Sequence, residues 1–384
     1  MQWINPDINL PFVPNAKMFF GISAVVVVAS WVVILIFGFN YGIDFAGGTE
    51  IQAKFNEEVD VGRIRSAVNG LTGISSEVQR FGAASENEFL IKLANITYVT
   101  TEREVKIQAG LQAAFGDKGF RRFHHASAGG DKVEFTLDTS EDMEKVKKIF
   151  ADADSATNEI TVTGSEGRFI YRAVLEGLGP HISQALEKEF GPNSFEILRL
   201  DSVGPKVGAE LQEQGLLALF YSMLGILIYV AFRFDYRFSP GAIVALVHDV
   251  SITAGVFAIL QLEFTIPTIA ALLTIIGYSV NDTIVVYDRI RENLAKAKVK
   301  PLEVVVNESI NQTLSRTILT SGTTMLVVIA LLIFGGGILF DFAFALLIGI
   351  GVGTYSSIFI ASPIMIWLYR WIEKRGGATS PVKA

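Results

Sequence analysis

Residues 18–39 read MFFGISAVVVVASWVVILIFGF, a run without a single charged or amide side chain. Crossing about 30 Å of hydrocarbon at roughly 1.5 Å per residue takes about 20 such residues, so the run predicts a membrane-spanning helix. Moving outward along the chain, five further runs meet the same test, at 214–232, 241–262, 264–287, 317–338 and 342–369. Between the first and the second, residues 41–208 carry most of the charge and break into short strand-like and helix-like segments, the pattern of a domain in water.

Composition agrees with a chain that lives in a bilayer. Half of the residues are hydrophobic and 18% are charged, and a mean hydropathy of +0.42 lies outside the range of ordinary soluble domains. The chain has no cysteine, which excludes disulfides, thiolate metal sites and cysteine nucleophiles. A net charge of -7 argues against a general nucleic-acid binder, which needs clustered Lys and Arg.

Basic residues near a span stay in the cytoplasm, so the short loops set the orientation. One side carries Arg233 and Arg237, then Arg289, Arg291, Lys296, Lys298, Lys300 and Arg316, then Arg370, Lys374, Arg375 and Lys383; the opposite loops, around Glu263 and over 335–341, carry none. The expected division is a cytoplasmic N-terminus over 1–17, a first transmembrane helix over 18–39, an extracytoplasmic domain over 40–208 with an insertion at 100–175, a five-helix transmembrane domain over 209–371 and a cytoplasmic tail over 372–384. Lys17 precedes the first span and no small-residue cleavage site follows it, so we read an uncleaved anchor. The fold class expected is an α-helical integral membrane protein with six transmembrane helices plus an α+β ferredoxin-like extracytoplasmic domain between helices 1 and 2.

That domain opens with an alternating strand at 50–55, a helix at 61–71 and strands at 77–81 and 88–93; a helix at 181–190 and a strand at 195–200 complete a βαββαβ unit. Between the halves we expect a helix at 102–115, a strand at 132–137, a helix at 142–151 and a strand at 160–163. Gly129-Gly130 marks a turn, Asn95-Ile-Thr97 is a bare sequon, and His124 with His125 reads as a solvated pair because no third metal ligand is spaced nearby.

Charge inside the spans is more informative. An aspartate or arginine at mid-bilayer costs about 2.5 to 3.5 kcal/mol on insertion scales, so it needs a partner or a task. Asp249 and Asp282 both fall about 9 to 12 Å from the cytoplasmic boundary by helical rise, and Arg316 stands at the entry to the fifth span. An ionic cluster drawing Arg316 inward is the expected arrangement. Asp282 in low dielectric beside an arginine can take up and release a proton; a permanent Asp282–Arg316 pair that fixes helix register fits the same residues. His248, Ser279, Asn281 and Thr283 supply hydrogen-bonding groups around the two aspartates. Gly349, Gly351 and Gly353 lie in an apolar helix without a preceding strand or a Gly-Lys-Ser/Thr ending, so close helix packing is expected there rather than nucleotide binding. No hydrolytic constellation is present, and we expect no enzyme activity.

Several strings resemble a known family: Tyr41-Gly-Ile-Asp-Phe-Ala-Gly-Gly-Thr49, Val203-Gly-Pro-Lys-Val-Gly208, Phe232-Arg-Phe-Asp-Tyr-Arg237, Ala245-Leu-Val-His-Asp-Val250, the stretch from Gly277-Tyr-Ser-Val-Asn-Asp282 through Asn293, and Ser315-Arg-Thr-Ile-Leu-Thr-Ser-Gly-Thr-Thr324. They are similar to SecF, the smaller membrane subunits of the SecD/SecF complexes of bacterial protein export, related to the resistance-nodulation-division transporters. The resemblance covers all six spans and both ends of the external domain, and the 100–175 stretch departs from it. It implies an inner-membrane accessory subunit of the Sec translocase that uses the proton motive force with SecD to promote polypeptide export. Implied partners are SecD, the SecYEG channel, the translocating polypeptide and the lipid bilayer. Protons are the coupling ion, no cofactor or metal is implied, and Asp282, Arg316 and Asp249 form the proton relay. Gly47, Gly48 and Thr49, just outside span one, suit a bendable connection that transmits helix motion; a simple turn into a strand fits them equally. Two alternatives share the layout: half of a proton-driven small-molecule or lipid exporter of the same superfamily, and a static membrane scaffold.

Overall fold

The computed structural model describes residues 9–375 apart from 73–75, 82–85, 94–100, 126–131, 141–142, 154, 156, 166–167, 176–177, 235–236 and 297–299. The sequon at 95–97, Gly129-Gly130, Lys298, Lys383 and the outer parts of both terminal segments therefore lie outside the described residues. In chain order the elements begin with α1 (Phe12–Phe37), β1 (Asn40–Tyr41), α2 (Ile43–Ala46), β2 (Gly48–Phe55), α3 (Val61–Thr72), β3 (Ser76–Phe81), β4 (Glu88–Leu93), α4 (Thr101–Gly119), β5 (Phe120–His125) and β6 (Lys132–Leu137). Then come α5 (Met143–Asp152), β7 (Thr157–Ser165), β8 (Arg168–Leu175), α6 (Leu178–Phe190), β9 (Phe195–Val203) and α7 (Pro205–Arg233). The chain closes with α8 (Ser239–Leu260), β10 (Glu263–Phe264), α9 (Ile266–Lys296), α10 (Leu302–Phe334), α11 (Gly336–Ser356), a π-turn (Ser357–Ala361) and α12 (Ser362–Lys374). Two compact units result, one of residues 42–213 and one of the remainder.

The helical unit contains six helices long and apolar enough to cross a membrane, the last formed by α11, the π-turn and α12 together. Helices α9 and α10 outrun their apolar stretches, because a helix satisfies its own backbone and continues into polar flanks until a breaker stops it. Thus α9 runs on to Lys296 and α10 starts behind Pro301, well before the expected 317. The expected helical start at 264 is corrected: Glu263 and Phe264 pair in parallel with Asn40 and Tyr41 as a two-residue ribbon. Helices α8 and α9 and the α11–α12 span bury about half of their apolar windows, whereas α1, α7 and α10 bury far less. The polar residues ride on the buried helices. Close approach is provided by small residues: a Cβ on Gly353 would lie 3.1 Å from Ser279 Cβ, and one on Gly349 would collide with Ile275.

In the other unit, β2, α3, β3, β4, α6 and β9 build a four-stranded antiparallel sheet in the order β3-β4-β2-β9. Alternation on β2 sends Ile51, Ala53 and Phe55 into a core with Ile64 and Val68 of α3 and Ile182 and Leu186 of α6. Asp60 opens α3, its Oδ1 accepting from the amide of Gly62 at 2.8 Å. The stretch between β4 and α6 forms a second antiparallel sheet, β5-β6-β8-β7, with α4 and α5. Its core is separate: Ile107 and Leu111 of α4, Val146 and Phe150 of α5, and Phe135 stacked on Tyr171 at 5.3 Å. Strands β5 and β8 are additions to the expected elements; Phe120-Arg-Arg-Phe-His-His125 and Arg168-Phe-Ile-Tyr-Arg-Ala-Val-Leu175 do not alternate cleanly, and cross-strand pairing decides them. His124 and His125 occupy consecutive positions of β5 opposite Glu134 and Val133.

The two cores share no residue. Phe135→Ala should therefore remove about 3–5 kcal/mol from the second sheet alone. Hydrogen exchange is the check: β5 to β8 should lose protection while β2, β3, β4 and β9 keep theirs.

Candidate functional site

The candidate site lies inside the helical unit, where α8, α9, α10 and α11 bring two carboxylates into an otherwise apolar interior. Asp249 of α8 is fully buried. Its Oδ1 lies 2.8 Å from His248 Nδ1, and its Oδ2 accepts from Ser279 Oγ of α9 at 2.6 Å and from Ser356 Oγ of α11 at 2.8 Å. Gly353 makes room for this: a Cβ there would stand 3.5 Å from Asp249 Oδ2. One helical turn of side chains on three helices thus converges on a single carboxylate.

Asp282 of α9 is 7% exposed. Its Oδ2 accepts from Ser321 Oγ of α10 at 3.2 Å, and Thr354 Oγ1 of α11 donates to Ser321 Oγ at 2.8 Å. Hydroxyls from two helices therefore lead to Asp282 as they do to Asp249. Ser279 and Asp282 are three residues apart on α9, and Thr354 and Ser356 two apart on α11, so both helices serve both carboxylates. Thr283 is buried beside Asp282, while Asn281 is exposed on the outer side of α9.

Arg316 does not join the cluster. Its side chain is exposed and no ion pair within 4.0 Å links it to Asp282, although its charge acts on that carboxylate through space. The reason is angular. Successive helical residues turn by about 100°, so Arg316 points about 140° away from Ser321, which faces Asp282. Arg316 shares its outer face with Thr320 and Thr323, four and seven residues on, and both are exposed.

Gly47, Gly48 and Thr49 belong to the sheet unit. Gly47 closes α2 at φ 72 and ψ 164, a region essentially confined to glycine, and Gly48 begins β2 at φ 138. A Cβ on Gly48 would lie 2.5 Å from the Leu93 carbonyl oxygen. Thr49 is buried in β2, its Oγ1 3.1 Å from Ser202 Oγ of β9. Next to it, burial raises the Glu50 carboxyl above the usual glutamate range, against the pull of Lys92, whose Nζ is 3.7 Å away.

Ser321, Thr354, Ser356 and Tyr355 were not singled out in the sequence. The available signal was weak: hydroxyl residues in apolar helices bond back to their own turn as readily as to a neighbour, and Thr354 Oγ1 also lies 2.8 Å from Ile350 O. Among the described residues no group of three or more His, Cys, Asp or Glu is placed to hold a metal ion.

Comparison with known proteins agrees with this architecture. The family model described as "Protein export membrane protein SecD/SecF, C-terminal" matches residues 182–371, and the "SecD/SecF GG Motif" model matches residues 32–59. The chain is 39% identical over 366 residues to the protein translocase subunit SecF of Magnetococcus marinus, covering 95% of this chain and 94% of that one. It is 37% identical over 377 residues to that of Calditerrivibrio nitroreducens, covering 98% and 99%. The crystal structure of SecDF, a translocon-associated membrane protein from Thermus thermophilus, superposes with a TM-score of 0.64 at 32% identity over 96% of this chain. The chain spans 40% of the length of that solved protein.

Proposed function

The chain belongs to the SecF family of protein translocase subunits, and from that premise we propose that it is an accessory subunit of the Sec translocase in the bacterial inner membrane, coupling the proton motive force with SecD to polypeptide export. Both termini are cytoplasmic and the sheet unit lies outside, following the basic loops. The sheet order β3-β4-β2-β9 with α3 and α6 supports a ferredoxin-like reading of its first half. The SecYEG channel and the emerging polypeptide are the remaining partners. Protons are the coupling ion, and no enzymatic step is involved.

One observation carries the reading: Asp282 is buried with a hydroxyl partner and no cation within ion-pair distance, Arg316 acting on it only through space. A carboxylate so placed can take up and release a proton, and Ser321 and Thr354 form a hydroxyl path for it. One charge falling through an assumed ~150 mV releases about 3.5 kcal/mol, enough to bias a two-state movement by more than about a hundredfold.

The outer face of α9 and α10 supports SecD as the partner. Asn281, Thr320 and Thr323 are exposed there within apolar spans and Arg316 at the entry to one, and polar or charged side chains facing hydrocarbon are costly. Protein covers such a face at lower cost, and the chain matches only two fifths of the solved SecDF polypeptide. A photo-reactive residue in place of Asn281 should crosslink to SecD in native membranes, whereas one in place of the apolar, outward-facing Phe232 of α7 should not.

The test is reconstitution of the chain with SecD and the channel in vesicles loaded for export of a preprotein. An imposed proton gradient should speed completion of export, and an uncoupler or omission of the chain should abolish the gain. Stimulation that survives the uncoupler would overturn the reading.

A further inference from the structure

Helix α1 buries only Ala16, Ser23 and Ser30, small residues seven apart. Val25, Val28 and Leu35 face outward, while Phe12 and Phe19 pack on the Phe359 ring of the π-turn, centroids 5.8 and 4.3 Å away. Ser30 packs on Gly255 of α8, which leaves no room for a Cβ there. The start of the helix is tied to α10, the Leu10 and Val13 amides donating to Asn311 and Asn307. Within the apolar run, the hydrogen bonds from α1 to another helix among the described residues are made by one side chain, Tyr355 of α11.

Tyr355 Oη donates to the Phe19 carbonyl at 2.9 Å, which uses its one proton, so Ser23 Oγ, also at 2.9 Å, donates to Tyr355. The same phenol ring stacks on the His248 imidazole, centroids 6.1 Å apart and planes 23° from parallel. His248 is 4% exposed, its Nδ1 is occupied by Asp249, and its buried Nε2 has no hydrogen-bond partner. Either protonation state of Nε2 leaves a donor or acceptor unmet, at a cost of about 1–3 kcal/mol. A buried imidazole is therefore held in an unsatisfied state between a carboxylate and the ring that grips α1.

We propose that His248 and Tyr355 are positioning residues that tie the posture of α1 to the charge on Asp249. The proposal rests on the proton-driven reading and adds to it the element that moves. A proton taken from water by the His248–Asp249 pair leaves either a neutral carboxyl or an imidazolium. Either product changes the field at the Tyr355 ring, and an imidazolium gains a cation–π attraction to it. The groups facing the pair are Ser279 from α9, Ser356 and Tyr355 from α11 and, through Tyr355, Ser23 from α1. No Lys or Arg lies within ion-pair distance of Asp249, and Asp282, one turn beyond Ser279, is the other buried carboxylate among the described residues of the unit. Helix α1 leads through β1, which is paired with β10, into the chain that enters the sheet unit at Gly42, so its posture is the natural output.

The chain lacks cysteine, so labels can be placed at will. Spin labels at Leu35 of α1 and Ile259 of α8, both exposed, in the full chain reconstituted with SecD, report the spacing of the two helices by pulsed dipolar spectroscopy. Between media of about pH 8.5 and about pH 5.5, the unsubstituted chain should show a shift on the order of 1–2 Å. Tyr355→Phe, which keeps the stacked ring and removes both bonds to α1, should abolish the shift. Asp249→Asn should abolish it too, and Ser23→Ala, with one bond lost, should reduce it. No shift in the unsubstituted chain, or a shift that survives Tyr355→Phe, would overturn the proposal. Failure of the proton-driven reading would appear elsewhere, as a gain in export that survives the uncoupler.

Discussion

Asp282→Asn is expected to leave the chain folded, inserted and bound to SecD, and to eliminate the gain in export that a proton gradient confers. Asparagine matches aspartate in volume and still offers Ser321 an acceptor, so the packing of α9 against α10 has no reason to change. What it lacks is a charge that can appear and vanish. If one proton supplies about 3.5 kcal/mol per step at ~150 mV, its loss removes a bias of more than about a hundredfold, and the stimulated rate should fall to that of vesicles without the chain. Asp282→Glu restores the charge with one extra methylene in a site that is 7% exposed, so partial recovery is expected. The measurement is export of a preprotein with and without an imposed gradient, alongside co-purification with SecD. A variant as responsive as the unsubstituted chain would exclude Asp282 as the carrier; one that loses SecD would assign the residue to assembly.

The contrast between Asp282 and Arg316 shows how far the sequence reaches. Hydropathy locates six spans because apolar length is a one-dimensional property, and the two aspartates stand out because charge in hydrocarbon is costly. Facing is different. The apolar run of span five begins at 317, which suggests an inward pull on Arg316, yet the helix that starts at Leu302 fixes the angular position of every residue on it and turns Arg316 outward. The hydroxyls of Ser321, Thr354 and Ser356 become informative only once α9, α10 and α11 are packed, since each could have bonded within its own helix. The same holds for the sheets. β2 is visible through alternation, while β5 and β8 acquire their identity from the strands beside them.

Gly48→Ala is expected to damage the sheet unit far more than its single methyl suggests. At φ 138 an L side chain is strained, by about 1–3 kcal/mol in sparsely populated regions, and the added carbon would sit 2.5 Å from the carbonyl oxygen of Leu93. That oxygen is backbone inside a paired strand and cannot swing aside as a side chain would. Relief requires β2 to separate from β4, and β2 is also paired with β9, so the disturbance reaches three strands. Gly70→Ala is the matched control: Gly70 lies in α3 with open space around it, and alanine there should be neutral or stabilising by about 0.5–1 kcal/mol. Limited proteolysis of the two variants in native membranes should show cleavage within residues 42–213 for the first and an intact unit for the second. Equal resistance in both would mean that β2 accommodates the methyl. If Gly48→Ala then resisted proteolysis yet failed to support export, Gly47 and Gly48 would be acting as a connection between moving parts. If it were cleaved, their role is the simpler one of letting a buried strand begin beside a carbonyl.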